Sequence, residues 1–301
     1  IGDSFRKHLE EFCKSVLNFY TSKSLNKKIK VIDIGSNDGT ALSFFENQGC
    51  EVLGVDPAKK PSLIANQRGI KTLNNFFSSD LAKEIKKKCN NFDIVISNNV
   101  LAHVDDISDI FDGINIILKT NGIFIFEIGY FGNLIKKNIF DTVYHEHLDY
   151  HSIIALSSFL SKKKFIIEKI DLNSVQGGSL RVWCKRSEHT VKNNKLIEYI
   201  DQEKKILSKK NIKVWKNKIV ANIDILKQKL EDYKSKNYTI VGYGVPTKAT
   251  LILNMLGESK NKIDYFVEDN KLKVNKFLPN TIIPIKEKMK KIQITNLFYV
   301  L

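Results

Sequence analysis

Arginine is nearly missing from this sequence: four residues stand against 44 lysines, although together they bring the formal charge to +15. Such a surplus invites a nucleic-acid partner, because basic side chains neutralise phosphates. Arginine, however, is the residue that reads guanine and grips phosphate in a two-pronged fork, so its scarcity argues against nucleic acid. The lysines come in short runs, as at 86–88 and 162–164, and read as solvated ends of helices. Cysteine is equally sparse. Cys13, Cys50, Cys89 and Cys184 are scattered, with no C-x-x-C pair and no disulfide rhythm, which points to a reducing cytoplasm. No apolar run reaches the ~18 residues a membrane span needs, so no membrane partner is expected. An initiating methionine and a signal segment are also lacking, and the last residues, NLFYVL, read as an interrupted strand; trimming at both ends is expected.

What is present is a chain long enough for two domains. From KIKVIDIGSNDGT onward, β-branched runs at 29–34, 51–55, 92–97 and 122–128 alternate with amphipathic stretches, the pattern of a parallel sheet covered by helices. Runs at 164–170 and 179–185, joined by a Gly-containing link, suggest an antiparallel hairpin at the sheet edge. The fold class expected is therefore α/β: a doubly wound mixed sheet with an edge hairpin, as in class I methyltransferases, plus a smaller Rossmann-like domain. The boundaries expected are an N-terminal helix at 1–24, the first domain at 25–189, a helical connector at 190–236 and a truncated second domain at 237–301. The second domain opens on YTIVGYGVPTKAT, with strands at 238–242 and 263–267, and Pro246 suits a first helical turn.

In VIDIGSNDG, Gly35 and Gly39 follow a strand and precede a helix, where backbone must approach a ligand closely. A dinucleotide prefers G-x-G-x-x-G, whereas Asn37 holds the second glycine position and Asp33 and Asp38 bring carboxylates. Carboxylates repel a pyrophosphate but suit the ammonium and sulfonium of S-adenosylmethionine. Asp56 ends the next strand, where it can accept ribose hydroxyls. Ser36 completes the turn, and Asn98 and Asn99, beyond the strand at 92–97, border the same cleft. A plain βα turn with a helix-capping Asp is the competing explanation.

Three of the six histidines fall in FDTVYHEHLDYHS, at 145, 147 and 151. The zinc pattern H-E-x-x-H fails because Asp149 follows Leu148, and no cysteine lies near, so no metal is expected. General-base chemistry needs only one histidine oriented by a carboxylate or phenol, and Tyr144 and Glu146 are candidate supports.

The strings VIDIGSNDGT, GVDPA, NNVLAHVDDI, FDTVYHEHLDY, GGSLRVW and VGYGVPTKATLILN, in this order, resemble the sugar C-methyltransferases that act on nucleotide-linked 4-keto-deoxysugars. The resemblance covers nearly the whole chain and is most specific at Y-H-E-H followed by G-G-S-L-R. It implies that His147 is the base and that Tyr144, Glu146 and His103 line its pocket. It also implies S-adenosylmethionine as cofactor and a nucleotide-sugar as substrate, with Glu127, His145, Ser179 and Arg181 as substrate contacts. Gly242, Tyr243, Gly244 and Lys248 are expected to cradle the diphosphate. The family's N-terminal zinc module of paired cysteines has no counterpart here, Gly129 replaces a usual proline, and His151 replaces a usual phenylalanine. The rival expectations are an O- or N-methyltransferase, an RNA methyltransferase and a non-catalytic cofactor-binding module.

Overall fold

The computed structural model describes residues 2–21, 28–173, 177–187 and 193–287. Contacts divide the chain into two units: Ile1–Phe131 with Leu148–Lys204, and Gly132–His147 with Lys205–Leu301. This division departs from the expected boundaries. The 190–236 connector is shared between the units, and the segment holding Y-H-E-H groups with the second.

The first unit is built on seven strands: β1 (Lys30–Ile34), β2 (Glu51–Val55), β3 (Thr72–Leu73), β4 (Phe92–Asn98), β5 (Leu118–Gly129), β6 (Phe165–Leu172) and β7 (Ser179–Arg186). Their order is β3-β2-β1-β4-β5-β7-β6. β1 to β5 pair in parallel, while β7 runs antiparallel to both β5 and β6, so the expected hairpin exists with its second strand innermost. β3, two residues long, gave no periodic signal in the sequence.

Each sheet face buries its own apolar layer. One face packs α4 (Ser79–Cys89), α5 (Ile107–Ile117) and α7 (Ile153–Lys162) around Phe111, whose ring meets Phe124, Phe126, Phe159 and Phe165 edge-on. The other packs α1 (Asp3–Thr21), α2 (Thr40–Asn47) and α3 (Lys59–Gln67) against Ile94, Ile96, Ile125 and Trp183. Helix α1 is thus part of this core, not a separate element. Helix starts follow side-chain caps: Ser78, Asp106 and Ser152 accept the amides of Leu81, Asp109 and Ala155 at 3.1, 3.1 and 3.2 Å, satisfying donors that no helical carbonyl reaches.

The second unit has a parallel three-stranded sheet, ordered β10-β9-β8, from β8 (Val241–Tyr243), β9 (Tyr265–Glu268) and β10 (Ile285–Glu287). Helices α9 (Lys209–Ser235) and α10 (Ala249–Leu256) enclose a core of Ile219, Ile223, Leu230, Leu253, Phe266 and Ile285, to which Phe140 contributes. Pro246 lies outside the first turn of α10, since the helix begins at Ala249. The NLFYVL run falls outside the described residues.

Candidate active site

The first glycine-rich turn is held by β2. The amides of Gly35 and Ser36 donate to the Val55 carbonyl at 2.8 and 3.2 Å. Gly35 has φ +79°, and a Cβ there would lie 2.2 Å from a methyl of Val100, so both conformation and space require glycine. Asp56 caps the turn: Oδ2 accepts from Asn37 N–H and Oδ1 from Ala58 N–H, each at 2.8 Å. Each carboxylate oxygen retains a further lone pair for a hydroxyl donor. Asp38 serves differently from expectation. It accepts from the Thr40 amide and hydroxyl at the start of α2 and pairs with Arg68 at 3.0 Å, so its charge is already matched.

Around this turn several buried polar atoms have no partner among the described residues: Asp33 Oδ1, Ser36 Oγ, and both amide atoms of Asn98. A buried polar atom without a partner costs about 1–3 kcal/mol, so such a cluster at one sheet edge marks a place for a polar ligand. Burial, followed by the nearby Asp56 charge, pushes the Asp33 carboxyl well above its ordinary range, and a bound cation would reverse that. Room for the Ser36 and Thr72 side chains beside the turn is kept by a glycine missed in the sequence. Gly54 stands opposite Asp33 in the strand register, and a Cβ there would come within 2.5 Å of Ser36 Oγ. The donor and acceptor set fits S-adenosylmethionine: Asp56 for ribose hydroxyls, Asp33 for the ammonium, Asn98 for the amino-acid end. Asn99, at φ +57°, turns the chain after β4 and leads to a 3-10 turn, Leu101–His103, that leaves His103 exposed.

Glu127 and Arg181 are brought together with each other. They face across β5 and β7, and the guanidinium donates from two nitrogens to Glu127 Oε2 at 2.8 and 3.0 Å. His8 of α1 meets Oε1 at 2.9 Å. Burial alone would raise the Glu127 carboxyl, but the His8 hydrogen bond and the Arg181 charge outweigh it and hold it below its ordinary value. Arg181 also lies over the Phe12 ring at 4.6 Å. Arg181, expected as a substrate contact, is here the counter-charge of a buried carboxylate. Ser179, on the same strand, is buried opposite Gly129.

Within the second unit, Y-H-E-H forms a succession of tight turns, with Val143 N–H on the Phe140 carbonyl at 2.9 Å and His147 N–H on Tyr144 at 3.0 Å. His147 Nδ1 meets the Thr142 carbonyl at 2.7 Å. A carbonyl only accepts, so Nδ1 carries the proton and the lone pair of the neutral ring is on Nε2. The group that holds Nδ1 is thus backbone, where a phenol or carboxylate was expected to orient the ring. Tyr144 lies against the ring, tilted by 41° with centroids 4.6 Å apart, and its hydroxyl is raised in pKa by burial and then by the neighbouring Glu146 carboxylate. His145 is exposed, its ring 6.0 Å from Tyr144. Among the described residues no group of three His, Cys, Asp or Glu side chains is placed to hold a metal ion.

The second glycine-rich turn repeats the backbone plan of the first: Gly244 N–H donates to Val267 O and Val245 N–H to Glu268 Oε2, both at 2.8 Å. Glu268 thereby occupies an amide expected to cradle phosphate. Lys248 is paired with Asp141, a partner from the Y-H-E-H segment. Tyr243 is exposed, and Gly242 is required because a Cβ would lie 2.2 Å from the Phe266 ring. Lys273, a cation missed in the sequence, donates to the Val245 carbonyl at 2.7 Å.

A sheet of this order, with its one antiparallel inner strand and, among the described residues, unmatched polar atoms at the carboxyl ends of β1 and β4, is the class I methyltransferase fold. The chain belongs to the methyltransferase-domain family, whose model matches residues 5–165, and residues 174–301 match the C-methyltransferase C-terminal domain. It is 29% identical over 263 residues to the C-methyltransferase NovU of Streptomyces niveus, a match spanning 85% of this chain and 61% of that relative. The ubiquinone biosynthesis O-methyltransferase of Pelagibacter ubique is 27% identical over 122 residues, 40% of this chain and 50% of that one. Among solved structures, the PH0226 protein of Pyrococcus horikoshii superposes with a TM-score of 0.48 at 18% identity, covering 62% of this chain and 92% of its own. No helix among the described residues is long and apolar enough to cross a membrane.

Proposed function

We propose that this chain transfers a methyl group from S-adenosylmethionine to carbon, and that the acceptor is a nucleotide-linked 4-keto-deoxysugar. The observation that carries the proposal is the lock of His147 Nδ1 on the Thr142 carbonyl, which keeps Nε2 as the basic nitrogen. A positioned base of this kind contributes ~10²–10⁴-fold. His147 Nε2 takes the proton from the carbon beside the ketone, and the Tyr144 hydroxyl is the candidate donor to the enolate oxygen. S-adenosylmethionine, when bound, supplies the electrophilic methyl group that this carbon takes up. The match to a C-methyltransferase C-terminal domain and the NovU relative support carbon as acceptor. Glu268, set against its turn as Asp56 is against the first, is the candidate for the sugar nucleotide's ribose, with Lys248 and Lys273 for its diphosphate.

The same lone pair would activate a hydroxyl, which is the chemistry named for the Pelagibacter relative. The test is solvent deuterium exchange into the carbon beside the ketone of a panel of 4-keto nucleotide-sugars, followed without cofactor, then product NMR with it. Exchange is expected in the parent and in His145→Asn, with a loss of at least ~10²-fold in His147→Asn. Normal exchange in His147→Asn with loss in His103→Asn would move the base to His103. A new methyl on oxygen would replace the carbon reading by the O-methyl one.

A further inference from the structure

The carboxyl edge of the first sheet carries a polar row on the face that packs α1. Alternation places Asp33 beyond Val31, Asn98 beyond Ile94 and Ile96, Glu127 beyond Ile123 and Ile125, and Arg181 beyond Trp183, all on that face. Asn98 pairs in register with Glu127, and Glu127 with Arg181. At one end of the row both oxygens of Glu127 are engaged, by His8 and by Arg181. At the other, Asp33 Oδ1 and both atoms of the Asn98 amide are buried without a partner among the described residues.

Helix α1 lies along these strands. Its Tyr20 hydroxyl donates to Asp93 Oδ1 at 2.8 Å, near the start of β4, and His8 reaches Glu127 near the end of β5. The twelve residues between Tyr20 and His8 rise ~18 Å, about the length of β4, so the helix's first two turns reach the carboxyl edge. Arg6 lies 5.3 Å over the Phe44 ring of α2, which ties the same turns toward the glycine-rich loop. The amino end of α1 is therefore fastened on one side to α2 and on the other to β5, at the edge where Asp33 and Asn98 lack partners.

We propose that the first two turns of α1 roof the amino-acid end of the bound cofactor, and that His8 is the positioning residue latching this roof to Glu127. An α-amino acid presents an ammonium and a carboxylate; Asp33 offers an acceptor, and Asn98 an acceptor and a donor, which complement both. The proposal rests on the cofactor assignment. It gives the internal Glu127–Arg181 pair a purpose, as the fixed anchor against which His8 closes.

The test uses ligands that differ only at the roofed end. S-adenosylhomocysteine carries the amino-acid end; methylthioadenosine keeps the nucleoside and thioether and lacks it. In calorimetry, His8→Ala is expected to weaken S-adenosylhomocysteine ~10-fold, the loss of one charge-assisted hydrogen bond, while methylthioadenosine stays within about twofold. His8→Gln, which can donate to Glu127, should restore most of the affinity. Equal losses for both ligands would make His8 a packing residue, and no loss for either would remove the latch. Hydrogen exchange gives an arm independent of any variant: S-adenosylhomocysteine should slow exchange across Phe5–Phe12 in the parent, and unchanged rates would overturn the roof. If the parent binds neither ligand, the cofactor assignment itself falls.

Discussion

The two glycine-rich turns share a backbone plan and differ in which strand carries the side chain. In the first, β1 presents Asp33 and β2 faces it with Gly54; in the second, β8 presents Gly242 and β9 faces it with Phe266. The exchange reverses the outcome. Glycine on the second strand leaves room for the polar Ser36 and Thr72 side chains beside the turn, whereas phenylalanine fills the equivalent space and its glycine partner only yields to it. Asp56 and Glu268 do the same work in both, tying the turn's amide to the next strand. A glycine-rich turn between strand and helix therefore defines a conformation. The unmatched polar atoms beside it define a ligand.

The sharpest way to break this comparison is Asp33→Asn. Cofactor affinity should fall on the order of 100-fold, since a buried ammonium loses its counter-charge. The same change should stabilise the protein without cofactor. A carboxyl raised by folding binds its proton more tightly in the native state, so native stability is lost as pH climbs from the ordinary carboxylate range toward the folded value. The melting temperatures of parent and variant should therefore coincide near pH 4 and separate as pH rises, with the variant higher; the reverse order would refute the assignment of Asp33.

Asp56→Ala and Glu268→Ala sharpen the contrast at intermediate size. The first should weaken S-adenosylmethionine by 1.5–3 kcal/mol, about 10- to 100-fold, through lost bonds to ribose. The second should leave cofactor affinity unchanged and lower stability by about 1–3 kcal/mol, because the amides of Val245, Asp269 and Asn270 lose their acceptor. Equal effects on cofactor binding would erase the distinction between the turns. Lys248→Ala is expected to be smaller still, raising the nucleotide-sugar KM about 3- to 10-fold with cofactor affinity intact, because its ammonium also serves Asp141. The smallest effect concerns α1: burial raises the Cys13 thiol to about 12, so alkylation at pH 8 should spare it in the folded protein and proceed once the helix is unpacked.

Much of the first unit was legible because long parallel strands are long apolar runs: 51–55 and 92–97 coincide with β2 and β4 to within a residue. β3 and β10, two and three residues long, are set by pairing with neighbours, which a local pattern does not contain. Arg181 in GGSLR was expected to contact substrate. Its place two residues from the buried Trp183, on the same strand face, was the overlooked sign that it points inward. His8 could not have been found that way, since its partner lies 119 residues distant. Tyr144, Glu146 and His147 were expected as a group, yet the group that holds Nδ1 of the histidine is the carbonyl of Thr142, and main chain leaves no trace in composition.

Phe140 belongs to the core built by Ile219, Leu253, Phe266 and Ile285, although strands β6 and β7 of the first unit are made in between. During synthesis at ~5–20 residues per second, this ring leaves the ribosome roughly 7 to 30 seconds before its last partner does. Through that interval the segment from Gly132 to His147 gains its apolar partners one after another, Ile219 first and Ile285 last, whereas every strand of the first sheet has already been made. The loop bearing the proposed base therefore waits on residues far downstream, and a nascent chain halted before Ile219 would hold every strand of the first sheet while Phe140 had none of these core partners.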